Sequence, residues 1–140
     1  MASDCIFCAI VAGASPARVV HEDARTLAFL DIAPITKGHT LVIPKAHSCD
    51  LLDIPAEDLA AAAIAAQAVS RAAMTVLGAA GVNLLQATGK AALQTVFHFH
   101  IHVLPRFPDD PVGLPEQFVK RTLGDPAALD GIAERLQSPP

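Results

Sequence analysis

Three of the six histidines in this chain alternate along one segment, Val96-Phe97-His98-Phe99-His100-Ile101-His102-Val103-Leu104. Successive side chains of a strand point to opposite faces. His98, His100 and His102 would then share one face, spaced by about 6.7 Å, while Phe97, Phe99, Ile101 and Val103 face a core. Three imidazoles in a row are costly to bury without partners, so a polar site explains them better than plain packing. A solvated face would ordinarily draw Lys, Glu or Thr. Two chemistries fit. His-x-His can supply two ligands to a catalytic zinc that keeps one position open for water. Alternatively, a neutral imidazole can attack phosphorus or an acyl carbon while its neighbours fix its tautomer and help protonate the leaving group.

A second set lies near the start, where Cys5-Ile6-Phe7-Cys8 forms a Cys-x-x-Cys pair. Such a pair reads as a redox couple, half of a zinc site, or a coincidence. A thioredoxin-like couple expects a preceding strand, for which the four residues before Cys5 leave little room. A tetrahedral zinc site needs two further N or S ligands. Cys49 reads as an incidental buried thiol.

These groups must be carried by regular elements. Residues 5–14 are apolar and end at Gly13, which suggests a short helix or turn. Arg18–His21 and Thr26–Leu30 are strand-like runs joined by a polar turn, a hairpin signal. His39–Ile43 is the next strand, after the turn Thr36-Lys37-Gly38. Pro55 opens a long helix with Glu57 and Asp58 in its first turn, where carboxylates suit the positive end of the dipole. Leu59, Ala63, Ala66, Ala73 and Val76 keep helical spacing, and Gly78 and Gly81 end the helix. The alanines suit close packing of this helix on a sheet. Val82–Gln86 and Val96–Leu104 are the last strands, and Pro105–Pro115 an extended loop. Asp125-Pro126 then caps a short helix with Leu129, Ile132 and Leu136 on its apolar face. The expected fold class is α+β: a five-stranded antiparallel meander with one long helix and a short C-terminal helix.

The 140 residues, 52% of them hydrophobic and 17% charged, are expected to form one domain with its own core. A formal charge of −4 gives no support to nucleic-acid binding, which needs a basic surface. The longest apolar run, Leu59–Ala66, is too short to span a membrane. Met1-Ala2-Ser3-Asp4 lacks the pattern of a signal peptide. The expected compartment is the cytoplasm, with its thiols reduced.

The segment His98-Phe99-His100-Ile101-His102-Val103-Leu104 resembles the signature of the histidine triad (HIT) superfamily of nucleotide hydrolases and transferases. Cys5-Ile6-Phe7-Cys8, Leu27-Ala28-Phe29-Leu30-Asp31-Ile32, Gly38–His47 and Gly89-Lys90-Ala91-Ala92 follow in family order. The likeness spans roughly residues 5–106 and is nearer the Hint branch than the Fhit branch. It implies a single HIT-like domain over 1–140, with 107–140 as a variable tail.

The resemblance also implies roles. His100 would attack the α-phosphorus of a nucleoside 5′-monophosphate conjugate, of phosphoramidate or adenylate type, forming a nucleotidyl-histidine intermediate. His102 would lie near the leaving group or the phosphate and help proton transfer. His39 would contact the other nitrogen side of the nucleophile and orient its ring. Backbone N–H groups and the hydroxyl around Gln94 and Thr95 would hold phosphate oxygens. Asp31 would accept from the ribose hydroxyls beside Ile32, and Ile6, Phe7, Ile10 and Phe29 would line the base pocket. Cys5, Cys8, His47 and His98 would hold a structural zinc, with no redox or organic cofactor. The implied partners are a purine nucleotide and a second copy of the chain in a homodimer, with neither nucleic acid nor a membrane. Cleavage of dinucleoside polyphosphates and a catalytically weak purine-nucleotide-binding dimer are the alternatives. Two positions depart from the family pattern. Ala87 stands where many members have Asn, and Leu93 where many have Gly. A bulky Leu93 at the pocket rim would favour amine-linked or aryl-linked monophosphates over polyphosphates. Leu93→Gly would then cost a little stability through chain entropy.

Overall fold

The computed structural model describes residues 4–111 and 121–137. A short helix α1 (Ile6–Val11) leads into a hairpin of β1 (Val19–Glu22) and β2 (Thr26–Leu30). Asp23 builds the hairpin turn. Its Oδ1 accepts from the N–H groups of Arg25 and Thr26 at 2.9 and 2.8 Å, and its Oδ2 from the Thr26 hydroxyl at 2.7 Å. Then come β3 (Thr40–Pro44), the long helix α2 (Ala56–Val76), β4 (Gly81–Leu85), a 3-10 turn (Lys90–Ala92), β5 (Ile101–Arg106) and a last helix α3 (Pro126–Gln137). Asp125 caps α3 as its sequence suggests, accepting the Ala128 N–H at 3.0 Å.

The five strands form one antiparallel sheet in the order β1-β2-β3-β5-β4. The α+β class and the antiparallel sheet are as expected, but the order is not that of an unbroken meander. After α2 the chain lays β4 at the sheet edge and returns β5 to the interior beside β3. The more apolar strand takes the covered place: Ile101, Val103 and Leu104 of β5 are buried, whereas Asn83 and Leu84 of β4 are exposed. This order creates the site. Pairing of Leu41 with His102 and of Thr40 with Val103 places His39 and His102 next to each other.

One sheet face packs Ala28, Val42, Ile101 and Val103 against the alanine stripe Ala62, Ala65 and Ala66 with Val69 of α2. By length and composition α2 could cross a membrane, contrary to the sequence reading that no stretch could. Its stripe is nonetheless committed to the sheet. The opposite face packs Leu27, Phe29, Leu41 and Ile43 against Phe7 of α1. α3 closes one end of the core by setting Leu129, Ala133 and Leu136 on Leu30, Ala73 and Leu77. Gly38, at φ +84°, makes the turn before β3, where a Cβ would come within 2.5 Å of Leu77 Cδ1.

Several local expectations shift. The β5 ladder begins at Ile101 rather than Val96, because Phe99 gives its N–H to the Ser48 carbonyl at 2.7 Å instead of to a strand. Phe97 is exposed rather than core, Gly81 opens β4 rather than ending α2, and Ala133 rather than Ile132 fills the buried position on α3. Cys49 is exposed rather than buried. The expected 105–115 loop is split, since Pro105 and Arg106 belong to β5 and 112–115 lie outside the described residues. Leu93 ends the 3-10 turn in the left-handed region at φ +72°, which costs a non-glycine residue roughly 1–2 kcal/mol. The expected sign for Leu93→Gly therefore reverses. Urea unfolding of that variant is expected to show a gain of about 1 kcal/mol; a loss would mean that the Leu93 side chain contributes more than its backbone strain removes.

Candidate active site

Four imidazoles come together on the face of the sheet that α1 covers: His39 from the start of β3, and His98, His100 and His102 leading into and along β5. All four are buried. Their hydrogen bonds assign the tautomers. His100 Nδ1 lies 2.8 Å from the carbonyl oxygen of His98. A carbonyl only accepts, so Nδ1 carries the proton and the Nε2 lone pair is left for chemistry. His39 Nδ1 accepts the Ile35 N–H at 3.0 Å, so its Nε2–H donates to His102 Nδ1 at 2.9 Å. His102 is therefore protonated at Nε2. This corrects one expectation: His39 orients His102, while the nucleophile candidate His100 is oriented by the backbone of His98.

The electrostatics agree with neutral rings. Burial, then the positive charge of Arg121 and the neighbouring His100, pushes His39 down to about 3. Burial, followed by His100 and His39, pushes His102 down to about 2, against a smaller opposing pull from Asp31. His100 is lowered mainly by burial. The His98 carbonyl and Asp31 oppose that shift, and Arg121 adds to it.

Beside this row lies a cavity of about 460 Å³. Ile6, Phe7, Ile10 and Phe29 line it, Asp31 stands at its polar end, and Ile32, 60% exposed, forms its rim. All six are residues singled out from the sequence. Phe7 links the cavity to the histidines, with its ring edge-to-face on Phe29 at 5.4 Å and on His100 at 5.2 Å. Asp31 is buried and accepts the Ala33 N–H at 2.8 Å. Gln94 and Thr95 are not brought here. Gln94 is a buried brace, accepting from Gly89 N–H at 2.8 Å and donating to the Cys49 and Val96 carbonyls at 2.8 and 3.1 Å. Thr95 is exposed in a shallow groove with Cys5 and His47, and Leu93 does not line the cavity. Sequence reasoning missed Arg121, which lines the cavity, donates to the Ala33 carbonyl at 3.0 and 2.9 Å and pairs with Asp31. A lone arginine in a stretch without a motif carries no signal of that kind.

Cys5, Cys8, His47 and His98 form a separate cluster whose ligand atoms all lie within 4.8 Å of one another. Cys–His S···N separations run from 3.4 to 3.6 Å, and His47 Nδ1 lies 3.2 Å from His98 Nδ1. A tetrahedral zinc with ordinary bond lengths has edges of about 3.6 Å for S···N and 3.3 Å for N···N. His98 Nε2–H donates to the Pro44 carbonyl at 2.8 Å, which leaves its Nδ1 lone pair facing the cluster. Burial helps hold His98 neutral. The donor set suits a metal bound by two thiolates and two imidazoles. Asp31, His39 and His102 also come within ligating distance of one another. That group suits a hydrogen-bond chain instead, because the Ile35 N–H on His39 Nδ1 obliges Nε2 to keep its proton.

Comparison with known proteins adds relatives to this geometry. The family model for the HIT domain matches residues 12–109. An uncharacterised HIT-like protein of Mycobacterium tuberculosis H37Rv is 50% identical over 101 residues, covering 72% of this chain and 70% of that one. The adenylylsulfatase HINT3 of Arabidopsis thaliana is 37% identical over 136 residues, covering 97% of this chain and 67% of that one. Among solved structures, a zinc-bound histidine triad family protein from Mycobacterium smegmatis superposes with a TM-score of 0.85 at 44% identity, covering 96% of this chain and 91% of that one.

The buried neutral rings make stability depend on pH. In the unfolded chain His39 and His102 regain values near 6.5, against about 3 and 2 when folded. Below pH 6.5 the unfolded state binds protons that the folded state refuses, so this contribution is complete above pH 6.5 and is lost as pH falls. The thermal midpoint is expected to drop from pH 6.5 to 4 more steeply than in a His39→Asn/His102→Asn double variant. Parallel slopes would remove these two rings from the acid lability.

Proposed function

The chain belongs to the HIT family, and from that premise we propose that it is a nucleotide-binding hydrolase cleaving nucleoside 5′-monophosphate conjugates through a nucleotidyl-His100 intermediate. The observation that carries this reading is the 2.8 Å hydrogen bond from His100 Nδ1–H to the His98 carbonyl. It fixes the ring with an unprotonated Nε2 beside a nucleoside-sized cavity. Burial keeps the ring neutral, so the nucleophile is ready at neutral pH.

The base packs against Phe7 and Phe29 in the cavity, with Ile6 and Ile10 around it and the ribose at Asp31 and Ile32. The α-phosphorus then faces His100 Nε2. An N–P bond forms as the bond from phosphorus to the leaving group breaks, and the positive charge left on the His100 ring is shared with the His98 carbonyl. Water next attacks phosphorus, the N–P bond breaks, and the monophosphate, neutral His100 and a proton to solvent are released. Two displacements replace one harder step. His102 presents Nε2–H on the same face, its ring centroid 4.9 Å from that of His100. His102 can hydrogen-bond the leaving group through Nε2–H, its Nδ1 being held by His39, and a leaving amine departs with a proton taken from water at the phosphoramidate nitrogen. An adenylyl–sulfate linkage, as the name of the Arabidopsis relative suggests, releases an anion and needs no such proton.

Zinc fits the Cys5, Cys8, His47 and His98 cluster, whose edges match a tetrahedron; the M. smegmatis relative is a zinc-bound protein. With four protein ligands the site is closed, so it ties α1 to the β3 and β5 segments and takes no part in the chemistry. A homodimer suits β4, an edge strand among the described residues where Leu84 is 54% exposed, and the outer face of α2, where Ile64 is 67% exposed. Thiols outside any disulfide at Cys5, Cys8 and Cys49 suit the reducing cytoplasm.

Two experiments follow from this reading. In a panel of AMP and GMP phosphoramidates and adenylates, His100→Ala is expected to lose at least a thousandfold in kcat, about 4 kcal/mol of barrier, while still binding AMP. Residual activity within tenfold of wild type would remove His100 from the nucleophile role. Native mass spectrometry of protein purified without chelator is expected to give a dimer of the 14.6 kDa chain with one zinc per protomer. A metal-free mass with both Cys5 and Cys8 freely titratable would reject the zinc site, and a monomer at micromolar concentration would reject the dimer.

A further inference from the structure

Arg121 reaches the cavity from beyond the residues that carry the family motifs. It folds back onto Asp31 and Ala33, 90 and 88 positions earlier in the chain. Its Nε and Nη2 donate to the Ala33 carbonyl, and Nη2 also donates to Asp31 Oδ2. The side chain is 22% exposed and lines the cavity. A guanidinium offers five N–H donors in a fixed fork. The two on Nη1 have no partner among the described residues.

Asp31 is likewise only partly used. An ionised carboxylate can accept at about four lone-pair positions. The Ala33 N–H takes one on Oδ1, and Arg121 takes one on Oδ2. The polar end of an otherwise apolar cavity thus presents free acceptor positions and free donors side by side, locked together by one ion pair. A carboxylate alone satisfies only the proton of a hydroxyl and leaves its oxygen without a donor, a costly state inside a cavity. A pair of vicinal hydroxyls needs both.

We propose that Arg121 is a specificity-determining residue that, with Asp31, recognises the 2′,3′-diol of a ribose: the hydroxyls donate to Asp31 and their oxygens accept from Arg121 Nη1. This rests on the reading of the cavity as a nucleoside site. An arginine that only tied the C-terminal segment to the sheet would not distinguish one sugar from another.

The experiment compares adenosine 5′-phosphoramidate with its 2′,3′-dideoxy counterpart in wild type, Arg121→Met and Arg121→Lys, reading kcat and KM separately. Equilibrium binding of AMP and 2′,3′-dideoxy-AMP is measured in parallel. The wild type is expected to favour the ribose compounds by about a hundredfold, from hydrogen bonds to charged groups. In Arg121→Met, KM for the ribose substrate is expected to rise about tenfold, kcat to fall less, and the ribose preference to shrink by about tenfold. Arg121→Lys keeps the ion pair but lacks Nη1, so it is expected to lose the preference as well, and it serves should the methionine variant not fold. An unchanged ribose preference in the variants, in turnover and in binding, overturns the proposal, whatever the loss of overall activity. Binding with the expected ratios but no wild-type turnover would count against the hydrolase reading alone. Failure of the wild type to bind either nucleotide would overturn both.

Discussion

The arrangement turns on His98, which serves two sites with different atoms. Its Nε2–H is held by the Pro44 carbonyl, and this aims Nδ1 at Cys5, Cys8 and His47. Its backbone carbonyl meanwhile receives the Nδ1 proton of His100. The ring is fully buried, with no freedom to satisfy one role at the expense of the other. The candidate metal-binding cluster on one side and the proposed nucleophile on the other are therefore coupled through a single residue. Closing the cluster would stiffen the carbonyl that sets the tautomer of His100, as outer partners do for metal ligands.

Around that pivot the difficulty is burial. Imidazoles charge readily in water, and several charged rings within 5 Å would repel one another. The fold removes the conflict by keeping them neutral and pairing their N–H groups in a line, from Ile35 through His39 to His102. The carboxylate of Asp31 would pull protons back onto His100 and His102, and the guanidinium of Arg121 beside it opposes that pull. Arg121 thus has two consequences at once: it holds the polar end of the cavity in place and helps keep His100 neutral.

Much of this was legible in the sequence. The histidine row could be read because strand alternation forces three imidazoles onto one face and because their apolar neighbours Phe99, Ile101 and Val103 require the other. The cavity lining and the four cluster residues followed from the HIT resemblance, and the structure brings each set together. What could not be read depends on the competition between distant parts. The interior position of β5 follows from the relative burial of β4 and β5, which neither strand encodes by itself. Phe97 lost its core place because Phe99 spends its N–H on the Ser48 carbonyl, a contact with no local pattern. The backbone N–H of Gln94 is expected at the phosphate, yet it goes to the Gly89 carbonyl at 3.1 Å, while the side chain braces Gly89, Cys49 and Val96. The positive φ of Leu93 contradicts the preference of leucine. Arg121 lay outside any motif.

The central claim is that the His98 carbonyl leaves His100 with a reactive Nε2. It is tested most directly by trapping the covalent intermediate with an adenosine phosphoramidate under rapid quench, mapping the modified residue, and identifying the linkage isomer by phosphorus–nitrogen NMR. The expected result is an adenylyl group on His100, bonded through Nε2. Attachment through Nδ1, or to His39, His98 or His102, would contradict it.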